Sequence, residues 1–222
     1  VAEELAAHGF HVTVHANTNA KSAQSTVARI VESGGAADKL VLDLCTPEAL
    51  DTLETLALKN PYDVFVHCVG AQRDMPFAAM SPDDWRDIID VNLNSFYTGL
   101  RPILMPMIRG RWGRIVAISS LTAITGNRGQ TNYAAAKGGM LALMKSLTRE
   151  YGSRGITANV VAPGIIETPE TRSLENYDNL IKLSPAKRAG TPQEVAALVG
   201  FLVSDNAGYI SGQIIAVDGG TS

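Results

Sequence analysis

Basic runs are missing from this chain. Lys and Arg never stand more than two together, and the formal net charge is -3 with a pI near 5.8. Such a surface offers no electrostatic footprint for nucleic acid or an anionic membrane, so neither is expected as a partner. Long apolar runs are missing too: none approaches the roughly 18 residues of a membrane-spanning helix. Cysteine is scarce. Cys45 and Cys68 are the only two, each in an apolar, strand-like stretch, which predicts reduced core thiols and a cytoplasmic protein. Four scattered histidines show no metal-ligand spacing, so no metal site is expected. What the chain has in quantity is core material. Hydrophobic residues make up 45% and charged residues 18%, the reverse of a disordered composition, and 222 residues suit one large domain.

The pattern opens inside a helix. Val1 to His8 carries apolar residues at helical spacing, closed by Gly9, with no N-cap and no Met, so a preceding segment is expected. Six short β-branched or apolar runs follow as strands: HVTVH from His11, KLVLD from Lys39, YDVFVHC from Tyr62, RIVAIS from Arg114, ITANVVA from Ile156 and QIIAV from Gln213. Helical patterns separate them. One covers Ala20 to Ser33 and one opens at Pro47. A third starts on Ser81-Pro82-Asp83-Asp84 and runs to about Ile108, bent or broken by Pro102 and Pro106. Thr131 to Ser153 is a long helix, Glu167 to Leu183 a short helical flap, and Thr191 caps a helix to Ser204. This alternation predicts an α/β fold, a doubly wound parallel sheet with helices on both faces, in a single domain over residues 1–222. In such sheets ligands lie beyond the carboxyl ends of the strands. Asp43, Cys68-Val69-Gly70, Ser119-Ser120 and Pro163-Gly164 fall at those ends.

Tyr133 and Lys137 stand four apart at the start of a helix, so their side chains share one face, with three alanines between them. An ammonium fixed beside a phenol favours proton exchange near neutral pH. Ser120 ends an apolar strand thirteen residues before Tyr133 and could orient a substrate carbonyl.

Asn92 in VNLN, Ser120 in ISS, Tyr133-x-x-x-Lys137 and Pro163-Gly164 in VVAPGIIET together resemble the short-chain dehydrogenase/reductases, as does the closing run Tyr209 to Gly220. Gly126 to Lys137 and Arg154 to Thr168 are most similar to the 3-oxoacyl-(acyl-carrier-protein) reductases of that family. The resemblance implies a Rossmann-like fold whose first strand and T-G-x-x-x-G-x-G loop are absent from this chain, Val1 falling just after that loop. It implies Tyr133 as the general acid, Ser120 as the group holding the carbonyl oxygen and Lys137 as the partner of Tyr133 and of the nicotinamide ribose. Asn92 would bind a water linking Lys137 to bulk solvent.

Implied cofactor contacts are Asp43 with Leu44 at the adenine, Gly70 at the adenosine ribose, and Pro163, Gly164, Ile166 and Thr168 after the fifth strand. Ala16 stands where NAD-dependent members carry an acid, with Asn17 and Thr18 next, which favours NADP(H) over NADH. Cys68-Val69 departs from the family's Asn-Ala. Arg111 and Arg154 match positions that meet an acyl carrier protein. The helices from Asp83 and Thr131 imply a homotetramer, with Met140, Leu143, Met144 and Leu147 as an apolar face. Two other functions share these motifs: oxidation of another small alcohol, and a catalytically silent subunit of a reductase.

Overall fold

Two helix starts anticipated in the sequence fall where expected, and both carry capping boxes. Ser81 Oγ accepts the Asp84 amide at 3.1 Å, and Thr191 Oγ1 accepts the Glu194 amide at 3.2 Å, each with Pro in the first turn. The structure, a computed structural model, describes residues 1–222. In chain order the elements are α1 (Ala2–Ala7), β1 (His11–Ala16), α2 (Ala20–Glu32), β2 (Ala36–Val41), α3 (Glu48–Lys59) and β3 (Val64–His67). Then come α4 (Pro82–Ile89), a π-helical turn (Asp90–Asn94), α5 (Ser95–Gly110), β4 (Gly113–Ile118), α6 (Thr122–Thr125) and α7 (Thr131–Tyr151). The chain closes with β5 (Ile156–Pro163), α8 (Pro169–Arg172), α9 (Tyr177–Leu183), α10 (Pro192–Val203) and β6 (Ile214–Val217).

All ladders are parallel. They form two hydrogen-bonded groups, β2-β1 and β3-β4-β5-β6. No ladder joins β1 to β3. Side chains connect them instead: Val12, Val64 and Val66 pack on one apolar cluster, and the Thr13 hydroxyl donates to Tyr62 Oη at 3.3 Å. The period of two along the central strands divides the core between two faces. Ile115, Ala117, Ala158 and Val160 meet α5 and α7 on one side, while Val116 and Val161 meet α10 and Leu5 of α1 on the other. The fold is a single-domain, Rossmann-like α/β fold.

Four expectations need correction. Pro102 and Pro106 lie inside α5 and do not end it; the helix is held by the buried face of Phe96, Leu100, Ile103 and Met107, so packing outweighs the missing N–H groups. Cys45 and Cys68 are free but exposed, because each falls just past its strand, in the turn after β2 and at the end of β3. Met140 and Met144 are fully buried and serve the chain's own core, and Leu143 and Leu147 are partly buried against the same cluster. Exposed large apolar groups on α5 are Tyr97 and Met105.

The fourth concerns Arg111 and Arg154. Arg111 ends α5 in the left-handed region (φ 55°), and its Nη2 donates to the Ser153 carbonyl at 3.0 Å. Both arginines therefore sit at the amino ends of β4 and β5, about 15–20 Å of strand away from the carboxyl ends. They are brought together, but not beside the cleft described below. Gly155 makes this turn possible: its φ is +71°, and a Cβ there would stand 2.3 Å from the Arg111 carbonyl oxygen. Gly155→Ala is expected to cost about 3 kcal/mol, a fall of roughly 6–12 °C in Tm, read by thermal unfolding. An unchanged Tm would contradict that contact.

Candidate active site

The carboxyl ends of β3 and β4 and the first turns of α7 enclose a cleft of about 370 Å³, lined by Cys68, Gly70, Ile118, Ser119, Tyr133 and Lys137 among others. Lys137 is 3% exposed, and its Nζ donates to the Val69 and Ile118 carbonyls at 3.0 Å each. Two of its three protons are thus fixed by backbone, and one remains for a ligand. Burial drives its pKa down to about 8 from the ordinary 10.5, partly offset by Cys68. The ammonium stands 5.8 Å from the centroid of the Tyr133 ring, one helical turn away. The ring is buried, and its hydroxyl makes no hydrogen bond to the protein.

Asn92 lies behind the pair, fully buried in the π-helical turn. Its Oδ1 accepts the Ala71 amide at 3.3 Å, and its Nδ2 donates to the Ala71 and Ile88 carbonyls at 2.9 Å each. Asn92 and Lys137 together pin the Val69–Ala71 segment. Gly70 between them is required by space: a Cβ would lie 3.0 Å from Asn92 Oδ1 and 3.2 Å from Lys137 Nζ. α7 approaches the π turn closely at Gly139, whose Cβ would stand 3.0 Å from Leu93.

The two serines part company. Ser119 is buried and its hydroxyl donates to the Lys137 carbonyl at 3.0 Å, a structural bond that fixes α7 to β4. Ser120 is half-buried, its Oγ accepts the Thr122 amide at 3.2 Å, and its own proton is uncommitted. Gln130 is a residue that sequence reasoning missed. It donates to Asp74 at 2.8 Å and accepts from Thr122 and Asn127, tying the loop after β3 to the start of α7. Its place three residues before Tyr133 was the available signal.

The residues expected at the cofactor divide in the same way. Gly70 lines the cleft. Pro163 and Gly164 end β5, where Gly164 donates to Val217, and a Cβ would stand 2.9 Å from Asp218. Ile166 bridges to Gly190, while Thr168 caps α8 by accepting the Thr171 amide. Asn17 and Thr18 are exposed at the end of β1. Asp43 spends one carboxylate oxygen on the Cys45 amide at 2.9 Å, the job of a turn Asp. Leu44, next to it, is buried. The glycine-floored cleft, the free ammonium proton and the phenol hydroxyl form a donor set suited to a polar, flat ring with a ribose.

All 222 residues match the family model described as Enoyl-(Acyl carrier protein) reductase. The 3-oxoacyl-(acyl-carrier-protein) reductase of Aggregatibacter actinomycetemcomitans is 40% identical over 223 residues, covering 99% of this chain and 92% of that protein. The chain belongs to the short-chain dehydrogenase/reductase family.

The enzyme of the same name from Pseudomonas aeruginosa is 40% identical over 94% of this short-chain dehydrogenase/reductase and 86% of its own length. A solved structure from Beutenbergia cavernae, described as an NAD(P)-dependent gluconate 5-dehydrogenase with NADP bound at low occupancy, superposes with a TM-score of 0.94. It is 33% identical and covers 100% of this chain and 90% of its own. This short-chain dehydrogenase/reductase is an NAD(P)-dependent oxidoreductase. No helix in it is long and apolar enough to cross a membrane.

Proposed function

We propose that the enzyme reduces a 3-oxoacyl thioester, carried on acyl carrier protein, to the 3-hydroxyacyl thioester. The observation that carries this reading is the Tyr133–Lys137 pair facing one cleft with Asn92 behind it, in a chain 40% identical over 99% of its length to a 3-oxoacyl-(acyl-carrier-protein) reductase. When bound, NADPH supplies hydride to the substrate's carbonyl carbon. Tyr133, whose hydroxyl meets no protein group, delivers the proton to the carbonyl oxygen. Ser120 keeps its proton for the same oxygen, since the Thr122 amide already occupies one of its lone pairs. Lys137 offers its remaining N–H to the ribose of the cofactor and holds positive charge beside the phenol. Asn92 keeps the Val69–Ala71 backbone open for the adenosine side and holds the water that returns protons to Lys137.

The proposal extends to a cytoplasmic homotetramer built from this one domain. The α8–α9 flap over Pro169–Leu183, with Leu174 and Leu183 exposed, is the segment that covers the acyl chain. A second reading rests on the Beutenbergia neighbour: oxidation of a sugar acid or polyol in the same cleft. The two separate on kcat/KM. Acetoacetyl thioester with NADPH is expected to exceed gluconate with NADP by at least about 100-fold. The opposite ratio would give the second reading.

A further inference from the structure

One buried titratable group has no part in the chemistry described so far. His67, the last residue of β3, is 1% exposed, and its ring sits edge-on to Phe96 at 5.4 Å. Burial first, then Lys137 and His15, lower its pKa to about 3, so the imidazole is neutral. Its Nε2 lies 2.9 Å from Ser95 Oγ, and its Nδ1 is buried with no partner.

The tautomer follows from Ser95. The Ser95 hydroxyl donates to the Val91 carbonyl at 2.5 Å, so its proton is committed, and it can only accept from His67. His67 therefore carries its proton on Nε2, leaving Nδ1 as the orphaned acceptor. A buried acceptor without a partner carries a desolvation cost. Apolar packing alone would be served better by Leu or Phe.

What that bond holds is the π turn. In an α-helix the Ser95 amide would bond the Val91 carbonyl four residues back; here it reaches Asp90, five back. The Val91 carbonyl loses its usual partner, and the Ser95 hydroxyl replaces it. One turn earlier Asn92 Nδ2 bonds the Ile88 carbonyl while also reaching across to Ala71. Asn92 and Ser95 thus each bond a carbonyl at the widened turn, and Ser95 is gripped by His67 at the end of β3.

We propose that His67 is a positioning residue for the reduction: through Ser95 it locks the π-helical turn in the register that sets Asn92 against Ala71 and the Lys137 pocket. The proposal rests on the reading of Asn92 and Lys137 as parts of the active site. A turn slipping back to α-helical register would rotate Asn92 out of its bonds to Ala71. Displacements of about 1 Å at such a group cost on the order of 100-fold in rate.

The test is a mutant cycle on the full chain with NADPH and acetoacetyl thioester. His67→Leu and Ser95→Ala should each lower kcat about 10- to 100-fold with KM for NADPH changed less than about threefold. His67→Gln, which can place an N–H donor at the same reach, should keep kcat within about threefold of the parent. In an Asn92→Ala background, His67→Leu should change kcat less than about twofold, because the group it acts through is gone. If His67→Leu fails to fold, Ser95→Ala in the same background completes the cycle. Losses that multiply in the double variant would overturn the proposal, as would full kcat in both His67→Leu and Ser95→Ala. Full kcat in Asn92→Ala alone would overturn the reading of the site as well.

Discussion

Tyr133→Phe lowers kcat about a thousandfold or more while NADPH affinity stays within a few-fold of the parent. The substitution removes one oxygen and leaves the buried ring, so the packing between α7 and the cleft is preserved. A positioned proton donor contributes typically 10² to 10⁴ in rate, and here no neighbouring group can replace it. Ser120 is a poor acid, and the Lys137 ammonium is turned to the Val69 and Ile118 carbonyls. The check is steady-state kinetics paired with an NADPH fluorescence titration. Loss of both activity and binding would mean that the phenol holds the cofactor rather than the proton.

The second large effect belongs to Lys137, and its sign is set by burial. The lysine titrates near 8 in the folded chain and near 10.5 when unfolded. Between these values the unfolded chain holds more protons than the folded one, so stability rises as pH rises through that window. Below pH 8 both states are protonated and the folded chain carries the full cost of a buried ammonium. From pH 7 to pH 9.5 this one group should add about 2 kcal/mol to the stability of the cofactor-free protein. Lys137→Met removes the dependence and also lowers turnover at least about 100-fold, since charge beside Tyr133 is lost. Urea unfolding of parent and variant at the two pH values isolates the effect, because all other groups cancel in the difference. Parallel curves would mean that the ammonium is better solvated than its burial indicates.

The strand and helix alternation was legible because each element carries its own period and punctuation. Ser81 and Thr191 cap where their residue types and the following acids placed them. The site was legible at the strand ends for the same reason: Tyr133 and Lys137 share a face by helix geometry, and Ser119 and Ser120 end β4 by position. What could not be read depends on contacts distant in sequence. Pro102 and Pro106 look like breaks until the buried face of α5 is seen. Met140 and Met144 look like a subunit surface, since an apolar stripe does not say whether it meets a sheet or another chain. Arg111 and Arg154 sit beside the cleft only by analogy; the direction of β4 and β5 places them at the opposite end. The π turn was hidden most deeply. Asn92 was singled out by the family pattern, but its bond to Ala71, twenty-one residues away, shows only in the fold.

The most direct test is the fate of NADPH when acetoacetyl-acyl carrier protein is added to the purified enzyme, followed by absorbance and by mass analysis of the thioester. The account predicts one 3-hydroxybutyryl thioester formed per NADPH consumed, at a turnover in the ordinary enzymatic range of about 1 to 10³ per second. Unchanged NADPH and unchanged thioester, with brisk turnover of gluconate and NADP in the same preparation, would contradict it.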